Sequence, residues 1–356
     1  MIYVSKPYIG AEEKTAVMDV LDSGMLAMGP KTAKLEEEFA KMCGVKHAIA
    51  VSSGTAALHV SLLANGIGPG DEVITTPFTF IASINAILYV GATPVFVDIE
   101  EDTFNIDLSQ VEQAITPRTK AILPVHLYGH LCDIDQLLAL AEKYNLKIIE
   151  DACQAVMASY KGRAAGSFGT GTFSFYATKN MMSGEGGMIT TNDDKVADLS
   201  RMIRSHGMKR RYYHEMLGFN FRMMDIQAAI GLVQLKRLPS FNEKRRHNAA
   251  YYNAKIESAI LPQEKPDYHH IWHQYTIRVN HGRDRDEAVK QLNEAGIGTG
   301  IYYPIPNHKH PHVREIVGDV SLPVTDQMSQ EVISLPVHPM LTQEDLESVV
   351  REVNKL

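Results

Sequence analysis

Short apolar runs alternate with segments of helical periodicity along the first two thirds of the chain. The apolar runs occupy residues 47–51, 72–76, 93–99, 121–127 and 146–149. Two further runs follow at residues 171–176 and 188–191. Because uninterrupted apolar runs separated by helices are typical of strands buried on both faces, the pattern predicts an α/β domain with a mainly parallel sheet.

Helices are predicted between these strands from apolar spacing and from capping residues. Residues 33–43 carry an apolar stripe of helical period. Residues 55–65 have a helical pattern that ends at Gly66, which suits the residue after a helix. Asp133 is placed to cap the next helix, and another helix is predicted over residues 225–238.

The pattern changes after about residue 240, near the end of that last helix. Alternating apolar and polar residues at 275–279 predict a half-exposed strand. A helix is predicted at residues 284–295, and another lies close to the C-terminus. We therefore expect a large α/β domain over residues 1–239 and a smaller α+β domain over residues 240–356.

The composition is that of an ordinary globular protein, with 45% hydrophobic and 22% charged residues. The formal net charge of -7, without a long basic run, argues against nucleic acid as a partner, because phosphate binding requires clustered Lys and Arg. No apolar run is long enough for a transmembrane helix, and the N-terminus lacks a signal-peptide core. The three cysteines form neither a disulfide framework nor a zinc spacing. We therefore expect a cytoplasmic protein that does not act at a membrane.

Candidate chemistry lies at the carboxyl ends of the predicted strands, where open α/β sheets bind their ligands. Gly54 and Thr55 lie between a strand and a helix start, where free N–H groups and the helix dipole favour an anion. A plain capped turn is the alternative.

Asp151 ends an apolar strand, so its carboxylate is expected to need a cation such as a protonated pyridine nitrogen. A helix N-cap or a structural ion pair is the alternative there.

An aromatic residue and a lysine follow two other strands. Phe80 either lies flat on an aromatic ligand or packs in the core. Lys179 lies between an aromatic run and a glycine-rich turn, and it is either a solvated loop residue or a desolvated nucleophile that condenses with an aldehyde. With the strand-end residues above, the set matches pyridoxal 5'-phosphate (PLP), which brings an aldehyde for Lys179, a ring face for Phe80 and a phosphate for Ser174.

The order of the sequence motifs resembles the DegT-type (DegT/DnrJ/StrS) nucleotide-sugar aminotransferases, which are PLP enzymes. The resemblance covers nearly the whole chain and implies fold type I, the aspartate aminotransferase-like fold. The motifs that carry it are SGMLAMGP at 23, SSGTAALH at 52, GDEVITTPFTFIAS at 70, GATPVFVDI at 91, HLYGHLCDID at 126, IIEDACQA at 148, FSFYATKN at 173, GEGG at 184, GFNFRMMDIQAAIGLVQL at 218 and YYPIPNH at 302.

The resemblance also implies roles for single residues. Lys179 would form the internal aldimine with PLP, and Asp151 would pair with the pyridine nitrogen. Gln154 would contact the ring hydroxyl, and Phe80 would stack on the ring. The implied phosphate ligands are Gly54, Thr55, Ser174 and, from a neighbouring subunit, Asn220. The residues implied to meet a sugar nucleotide are Tyr303, His308 and Arg211. The role of Asn220 implies a homodimer with shared active sites.

The implied reaction moves an amino group from L-glutamate or L-glutamine to a nucleotide-linked 3-keto or 4-keto sugar by a ping-pong mechanism. Lys179 argues against the dehydratase branch, which carries histidine at that position. The GEGG motif favours amination at C4 and YYPIPNH favours C3, so the position stays open. Two alternatives also stay open: amination of a cyclitol or other ring ketone, and a PLP-binding regulatory protein without turnover.

A few residues depart from the family pattern or suggest other chemistry. Cys153 and Met157 replace smaller residues, and we expect Met157 and Met181 to reshape the sugar pocket. Three histidines near residue 310 hint at a metal by composition alone, because no cysteine or carboxylate completes a recognised spacing. We therefore expect no metal site.

Overall fold

A computed structural model describes residues 1–280 and 282–356 and shows helices on both faces of one large sheet. The α-helices are α1 (Ala11–Ser23), α2 (Pro30–Cys43), α3 (Gly54–Ala64), α4 (Ala82–Tyr89), α5 (Val111–Ala114), α6 (Ile134–Tyr144), α7 (Asp194–Ile203), α8 (Asp225–Lys255), α9 (Arg285–Glu294), α10 (Pro311–Val317), α11 (Pro323–Glu331) and α12 (Gln343–Val353). Short 3₁₀ helices span Leu108–Gln110, Leu127–Gly129 and Asn307–Lys309.

The strands are numbered in the same way along the chain. They are β1 (His47–Val51), β2 (Glu72–Thr75), β3 (Thr93–Phe96), β4 (Thr119–Leu123), β5 (Lys147–Asp151), β6 (Ser159–Tyr160), β7 (Arg163–Ala164), β8 (Thr170–Ser174), β9 (Gly187–Thr191), β10 (Met208–Arg210), β11 (Tyr213–His214), β12 (Ala259–Ile260), β13 (Tyr268–His269), β14 (Tyr275–Val279) and β15 (Val332–Leu335). All seven apolar runs of the first two thirds form strands, with ends that shift by a few residues.

The central sheet has seven strands in the order β1-β9-β8-β5-β4-β2-β3. The pairs of β2 with β3 and β4, of β4 with β5 and of β5 with β8 are parallel, whereas β9 is antiparallel to both of its neighbours. Because β1 and β8 both oppose β9, their carboxyl ends reach the same edge as those of β2, β4 and β5. This edge collects Val51, Thr75, Asp151 and Ser174, as the strand-end argument predicts.

Successive residues of the central strands enter two separate cores, one on each face of the sheet. Ile74 and Ile122 belong to the cluster beneath α2 and α6, whereas Val73 and Ala121 belong to the cluster beneath α3 and α4. Both faces are therefore covered. Burial on both faces explains why the strands appear in the sequence as continuous apolar runs.

The C-terminal part has an antiparallel sheet, β12-β14-β15, with its own apolar cluster. All five residues of β14 are buried, so the prediction of a half-exposed strand is wrong. The alternating polar positions are explained by Thr276, which bonds Ser334 at 2.7 Å, and by Arg278, which bonds Glu331 at 2.9 Å. Buried polar side chains that are paired in this way produce the same alternation of apolar and polar residues as a half-exposed strand.

Helix α8 is much longer than the predicted helix at residues 225–238. It continues through Pro239 to Lys255, because residues beyond the proline, such as Phe241 and Tyr252, pack into the cores. A proline disfavours a helix interior but does not end it where packing outweighs the lost hydrogen bond. The proposed domain boundary at residue 239 therefore lies within a continuous helix, and the division into two domains stays a prediction.

Asp225, the first residue of α8, also holds the start of α2. Its carboxylate accepts hydrogen bonds from the backbone N–H groups of Gly29 at 2.8 Å, Lys31 at 3.0 Å and Thr32 at 2.9 Å. A Cβ on Gly29 would lie 2.8 Å from this carboxylate, so glycine permits the contact. The SGMLAMGP and MDIQ motifs are thus two halves of one helix cap. Within the described residues, no helix combines the length and hydropathy that a membrane crossing requires.

Candidate active site

A cavity of about 720 Å³ opens at the carboxyl edge of the central sheet. Its wall is built from the ends of β1, β5 and β8, from the starts of α3 and α4, and from residues 273–274 and 301–303 of the C-terminal part. Eight residues that the sequence singled out line it together: Gly54, Thr55, Phe80, Asp151, Gln154, Ser174, Lys179 and Tyr303. The structure thus brings together residues that lie as far as 249 positions apart in the chain.

One end of the cavity is formed by the first turn of α3. Ser53 caps the helix by accepting the N–H of Ala56 at 3.1 Å, which leaves the N–H groups of Gly54 and Thr55 without an acceptor inside the helix. A Cβ on Gly54 would lie 2.8 Å from Cβ of Ser174. Glycine therefore lets the hydroxyl of Ser174 reach the helix start, and together these donors form a site suited to an anion.

Asp151 lies at the end of β5 and is buried, with 5% of its surface exposed. Ser83 of α4 donates a hydrogen bond to Oδ2 at 2.7 Å, and the N–H of Cys153 donates to Oδ1 at 3.2 Å. Thr79 is hydrogen-bonded to Ser83 at 3.0 Å. Since both donors to Asp151 are neutral, this buried carboxylate is well suited to a cationic group in the cavity.

Lys179 belongs to a tightly bonded turn between β8 and β9. Its N–H donates to the carbonyl of Tyr176 at 2.9 Å, and the turn is closed by Phe175 N–H to Gly186 O at 2.9 Å. Burial lowers the pKa of the Lys179 amine below its ordinary value, and the neighbouring Cys153 and Asp151 act in the opposite direction. Lys179 is therefore a half-buried amine in the wall of the cavity rather than a solvated loop residue.

Gln154 and two tyrosines fix the opposite wall. The Gln154 Oε1 accepts the N–H of Tyr128 at 2.9 Å, and its Nε2 donates to the hydroxyl of Tyr303 at 3.3 Å. Burial and the nearby Asp151 raise the pKa of Tyr303, so that it stays a phenol at neutral pH. Phe80 is 57% exposed at the mouth, with its ring centroid 6.3 Å from that of Tyr303. That exposure contradicts core packing of Phe80 and leaves its ring available to a ligand.

Sequence reasoning missed several residues of the wall, notably Ser83 and His273. Ser83 lies within the motif GDEVITTPFTFIAS, four residues after Thr79, and two hydroxyls one helical turn apart were the available signal. His273 lies 94 positions from Lys179, and no local pattern links the two. Other lining residues that were not predicted include Tyr176, Thr178, Glu185, Gln274 and Tyr302.

Three predicted site residues lie outside the cavity of the single chain. His308 is buried, with 3% of its surface exposed, beside Asp326 at 3.5 Å. Arg211 is exposed at the turn between β10 and β11, next to the ring of Tyr212. Asn220 is exposed and pairs with Ser205 in an isolated bridge. Their roles toward a sugar nucleotide or a neighbouring subunit stay predictions.

The two methionines expected to reshape the pocket do not line it. Met181 is fully buried in the core beneath α2, and Met157 packs against the same cluster. That expectation is therefore wrong. Both side chains pack among the apolar residues of that core. Among the described residues, no group of three or more His, Cys, Asp or Glu is placed to hold a metal ion.

Comparison with known proteins agrees with this geometry. The chain is 43% identical to a protein of Geobacillus stearothermophilus named pleiotropic regulatory protein, over 99% of this chain and 97% of that one. It is 42% identical to GDP-perosamine synthase of Caulobacter vibrioides, over 100% and 98% of the two chains. The crystal structure of DesV from S. venezuelae with a ketimine intermediate superposes with a TM-score of 0.93 and 42% identity, covering 97% and 94%.

The chain therefore has the fold of the type I PLP-dependent transferases, as predicted. A model of the DegT/DnrJ/EryC1/StrS aminotransferase family matches residues 7–354. The chain belongs to this family, and the protein is an aminotransferase.

Proposed function

We propose that this sugar aminotransferase uses PLP to move an amino group from L-glutamate or L-glutamine to a nucleotide-linked keto-sugar. The observation that carries the proposal is the convergence of three groups on one cavity. They are the desolvated amine of Lys179, the buried carboxylate of Asp151 and the free N–H groups at the start of α3.

The residues present fit PLP at each of its functional groups. The start of α3, with Thr55 and the hydroxyl of Ser174, suits the phosphate, and the close packing at Gly54 leaves no room for a side chain there. Asp151 suits the ring nitrogen because its oxygens are bonded only to neutral donors in the described structure. Gln154 would contact the ring hydroxyl, and the exposed ring of Phe80 would stack on the ring face.

When bound, PLP supplies an aldehyde that bonds an amine and a ring that withdraws electrons from the adjacent carbon. The protein supplies the proton transfers and the positioning. The lowered pKa of Lys179 increases the fraction of unprotonated amine, which can act as a nucleophile and can take a proton. The carboxylate of Asp151, held by Ser83, stabilises positive charge at the ring nitrogen.

A nucleotide-linked substrate is supported by one relative and by the charge of the cavity. The relative at 42% identity is named as a synthase of GDP-perosamine, a nucleotide-linked sugar. Among the described residues that line the cavity, Lys179 is the only lysine or arginine. A diphosphate therefore needs cations from outside this wall, and we propose that a second copy of the chain supplies Arg211, with Asn220 reaching the cofactor phosphate.

The first experiment follows the cofactor absorbance of the PLP-loaded protein after L-glutamate or L-glutamine is added alone. We expect conversion to the amino form without a keto-sugar, as a ping-pong mechanism requires, and restoration by the keto-sugar. Lys179→Ala should abolish conversion, whereas Lys195→Ala, at an exposed position, should not change it. Normal turnover by the Lys179→Ala protein would contradict the proposal. Assays across nucleotide-linked 3-keto and 4-keto sugars, with NMR of the product, identify the carbon that is aminated.

The two alternatives can be separated from this proposal by direct measurements. Amination of a cyclitol or other ring ketone predicts that free UDP, GDP and dTDP do not compete with the substrate. A regulatory role is suggested by the name of the Geobacillus stearothermophilus relative. It predicts a PLP-dependent partner or a gel shift together with an inert half-reaction.

A further inference from the structure

The loop at residues 77–80, between β2 and α4, carries Phe80 to the mouth of the cavity. Within this loop Phe78 is fully buried and anchors the chain in the core. Phe80 is mostly exposed, so its own side chain contributes little packing that would fix the loop. The direction of the Phe80 ring therefore depends on how the backbone just before it is held.

Asn307, from the C-terminal part of the chain, holds this backbone with two hydrogen bonds. Its backbone N–H donates to the carbonyl of Pro77 at 2.9 Å, and its Nδ2 donates to the carbonyl of Thr79 at 2.8 Å. The two carbonyls flank Phe78, and the second belongs to the peptide unit that contains the N–H of Phe80. Because a peptide unit is planar, holding that carbonyl also orients the bond from the nitrogen to Cα of Phe80.

Packing fixes Asn307 itself. It is buried, with 2% of its surface exposed, and it begins a 3₁₀ helix that leads into α10. On α10, Val313 packs in one apolar cluster with Ile84 of α4 and Phe96 of β3. The donors of Asn307 are therefore held in place relative to the sheet and to the helix that follows the Phe80 loop.

We propose that Asn307 is a positioning residue for Phe80, and that its two hydrogen bonds to the loop hold the Phe80 ring in the orientation in which it would stack on PLP. Among the described residues, no other residue beyond the loop and α4 bonds a carbonyl of residues 77–80. The stacking on PLP rests on the proposed function, whereas the hold on the loop is a property of the protein alone. The motif YYPIPNH thus acts on the site through Asn307 as well as through Tyr303 in the cavity wall.

Two substitutions distinguish this role from a structural one. Asn307→Leu removes the side-chain donor, keeps a buried side chain of similar branched shape and leaves the backbone N–H in place. Asn248→Leu is the matched control, because Asn248 is also buried and its Nδ2 donates to the carbonyls of Val337 and His338, which do not line the cavity. A general loss of stability would affect both variants to a similar degree. A change found in Asn307→Leu alone therefore reports on the loop.

The first measurement is fluorine NMR of the full chain without PLP, labelled with para-fluorophenylalanine. The Phe80 signal is identified by its absence from the spectrum of Phe80→Leu. We expect this signal to shift or broaden beyond the line width in Asn307→Leu, because the peptide unit before Phe80 loses its hydrogen bond. In Asn248→Leu the signal should stay in place. An unchanged Phe80 signal in Asn307→Leu overturns the inference.

Equilibrium titration with PLP tests the consequence for the cofactor. Phe80→Ala should weaken PLP binding about tenfold because stacking is lost, and Asn307→Leu should weaken it about fivefold. If Asn307 acts through Phe80, the double variant binds PLP about as weakly as Phe80→Ala alone. Two effects that multiply, to about fiftyfold in the double variant, contradict the inference. If the wild type binds no PLP, the proposed function fails, and fluorine NMR still decides whether Asn307 holds the loop.

Discussion

Glu150 and Asp151 are adjacent carboxylates at the end of one strand, and their surroundings differ completely. Glu150 is fully buried and accepts hydrogen bonds from the N–H groups of Gly166 and Phe168 at 2.8 Å and of Gly169 at 2.9 Å. His126 adds a fourth contact at 3.0 Å. Among the described residues, the side chain of Asp151, on the opposite face, accepts hydrogen bonds only from Ser83 and from one backbone N–H.

The difference shows that a buried carboxylate whose hydrogen-bonding positions are all filled by the protein stabilises the fold. A buried carboxylate with unfilled positions can bind a ligand instead. Glu150 ties the loop at residues 166–169 to the sheet and has no capacity left for a ligand. Asp151 is buried to nearly the same degree, but its carboxylate can still accept a hydrogen bond or pair with a cation in the cavity. The count of hydrogen-bond donors, rather than burial, therefore separates the two roles.

The largest effect is expected from Asp151→Asn. An amide cannot pair with a cationic ring nitrogen as a carboxylate does, so kcat should fall about a thousandfold. The free energy of unfolding should change by less than about 1 kcal/mol, since the neutral donors keep an acceptor. Steady-state turnover and urea unfolding of the protein without PLP measure the two quantities. If Asp151→Asn kept more than about a tenth of the wild-type activity, the distinction between a structural Glu150 and a functional Asp151 would be contradicted.

Glu150→Gln should give the opposite result. The amide places N–H donors against N–H donors in a sealed pocket, and we expect a loss of about 3 kcal/mol in the free energy of unfolding. Turnover per folded molecule should stay within about twofold of the wild type. Glu112→Gln, at an exposed salt bridge with Lys143, serves as the matched control and should leave urea unfolding unchanged. Full stability of the Glu150→Gln protein would contradict the structural assignment.

Ser83→Ala is expected to have a smaller effect, confined to the site. Removing the donor to Oδ2 of Asp151 should weaken PLP binding about tenfold, since one hydrogen bond to a buried charged group is lost. Equilibrium titration of the protein with PLP measures this affinity. Ser61→Ala is the control, because its hydroxyl is buried without a partner in the described structure. Equal affinities for the two variants would show that Ser83 does not support Asp151.

At neutral pH the smallest effect is expected from two buried histidines, whose contribution appears only as the pH falls. Burial lowers the pKa of His130 and of His338 to about 4 from 6.5, so the unfolded chain binds protons first as the pH falls. Stability should therefore decline as the pH falls from about 6.5 to 4, each group adding a slope of up to about 1.4 kcal/mol per pH unit. Urea unfolding across this range should show a shallower decline in His338→Gln. The exposed His312→Gln should match the wild type.

Much of the fold could be predicted because the apolar runs report burial on both faces of the sheet. β1 was predicted to the residue, and Asp151 at the end of a predicted strand led directly to the cavity. The errors have physical causes. The helix predicted to end at residue 238 continues because packing beyond Pro239 outweighs the lost hydrogen bond. Thr276 and Arg278 imitated exposure because their partners, Ser334 and Glu331, lie far away in the sequence.

Site residues that directly follow a strand in the sequence were predicted. Site residues that come from a distant part of the chain were missed. Lys179 and Thr55 belong to short motifs beside strand ends, so local pattern and resemblance found them. His273 arrives from the C-terminal part, positioned by Asn180 and Arg245, and no spacing in the sequence encodes that arrangement. Hydrogen bonds between distant segments become visible only in three dimensions.

Helix α8 has a further consequence for how the molecule can move. Its 31 residues extend over about 46 Å, from the Asp225 cap on α2 to the cluster of the C-terminal sheet. Along the way Arg245 holds the segment that bears His273, and Asn242 bonds Asn180, the neighbour of Lys179. A large hinge rotation between the two ends would disturb all of these contacts at once. We therefore expect substrate entry to be gated by side chains at the rim, such as Phe80 and Tyr176, while the backbone framework stays nearly rigid.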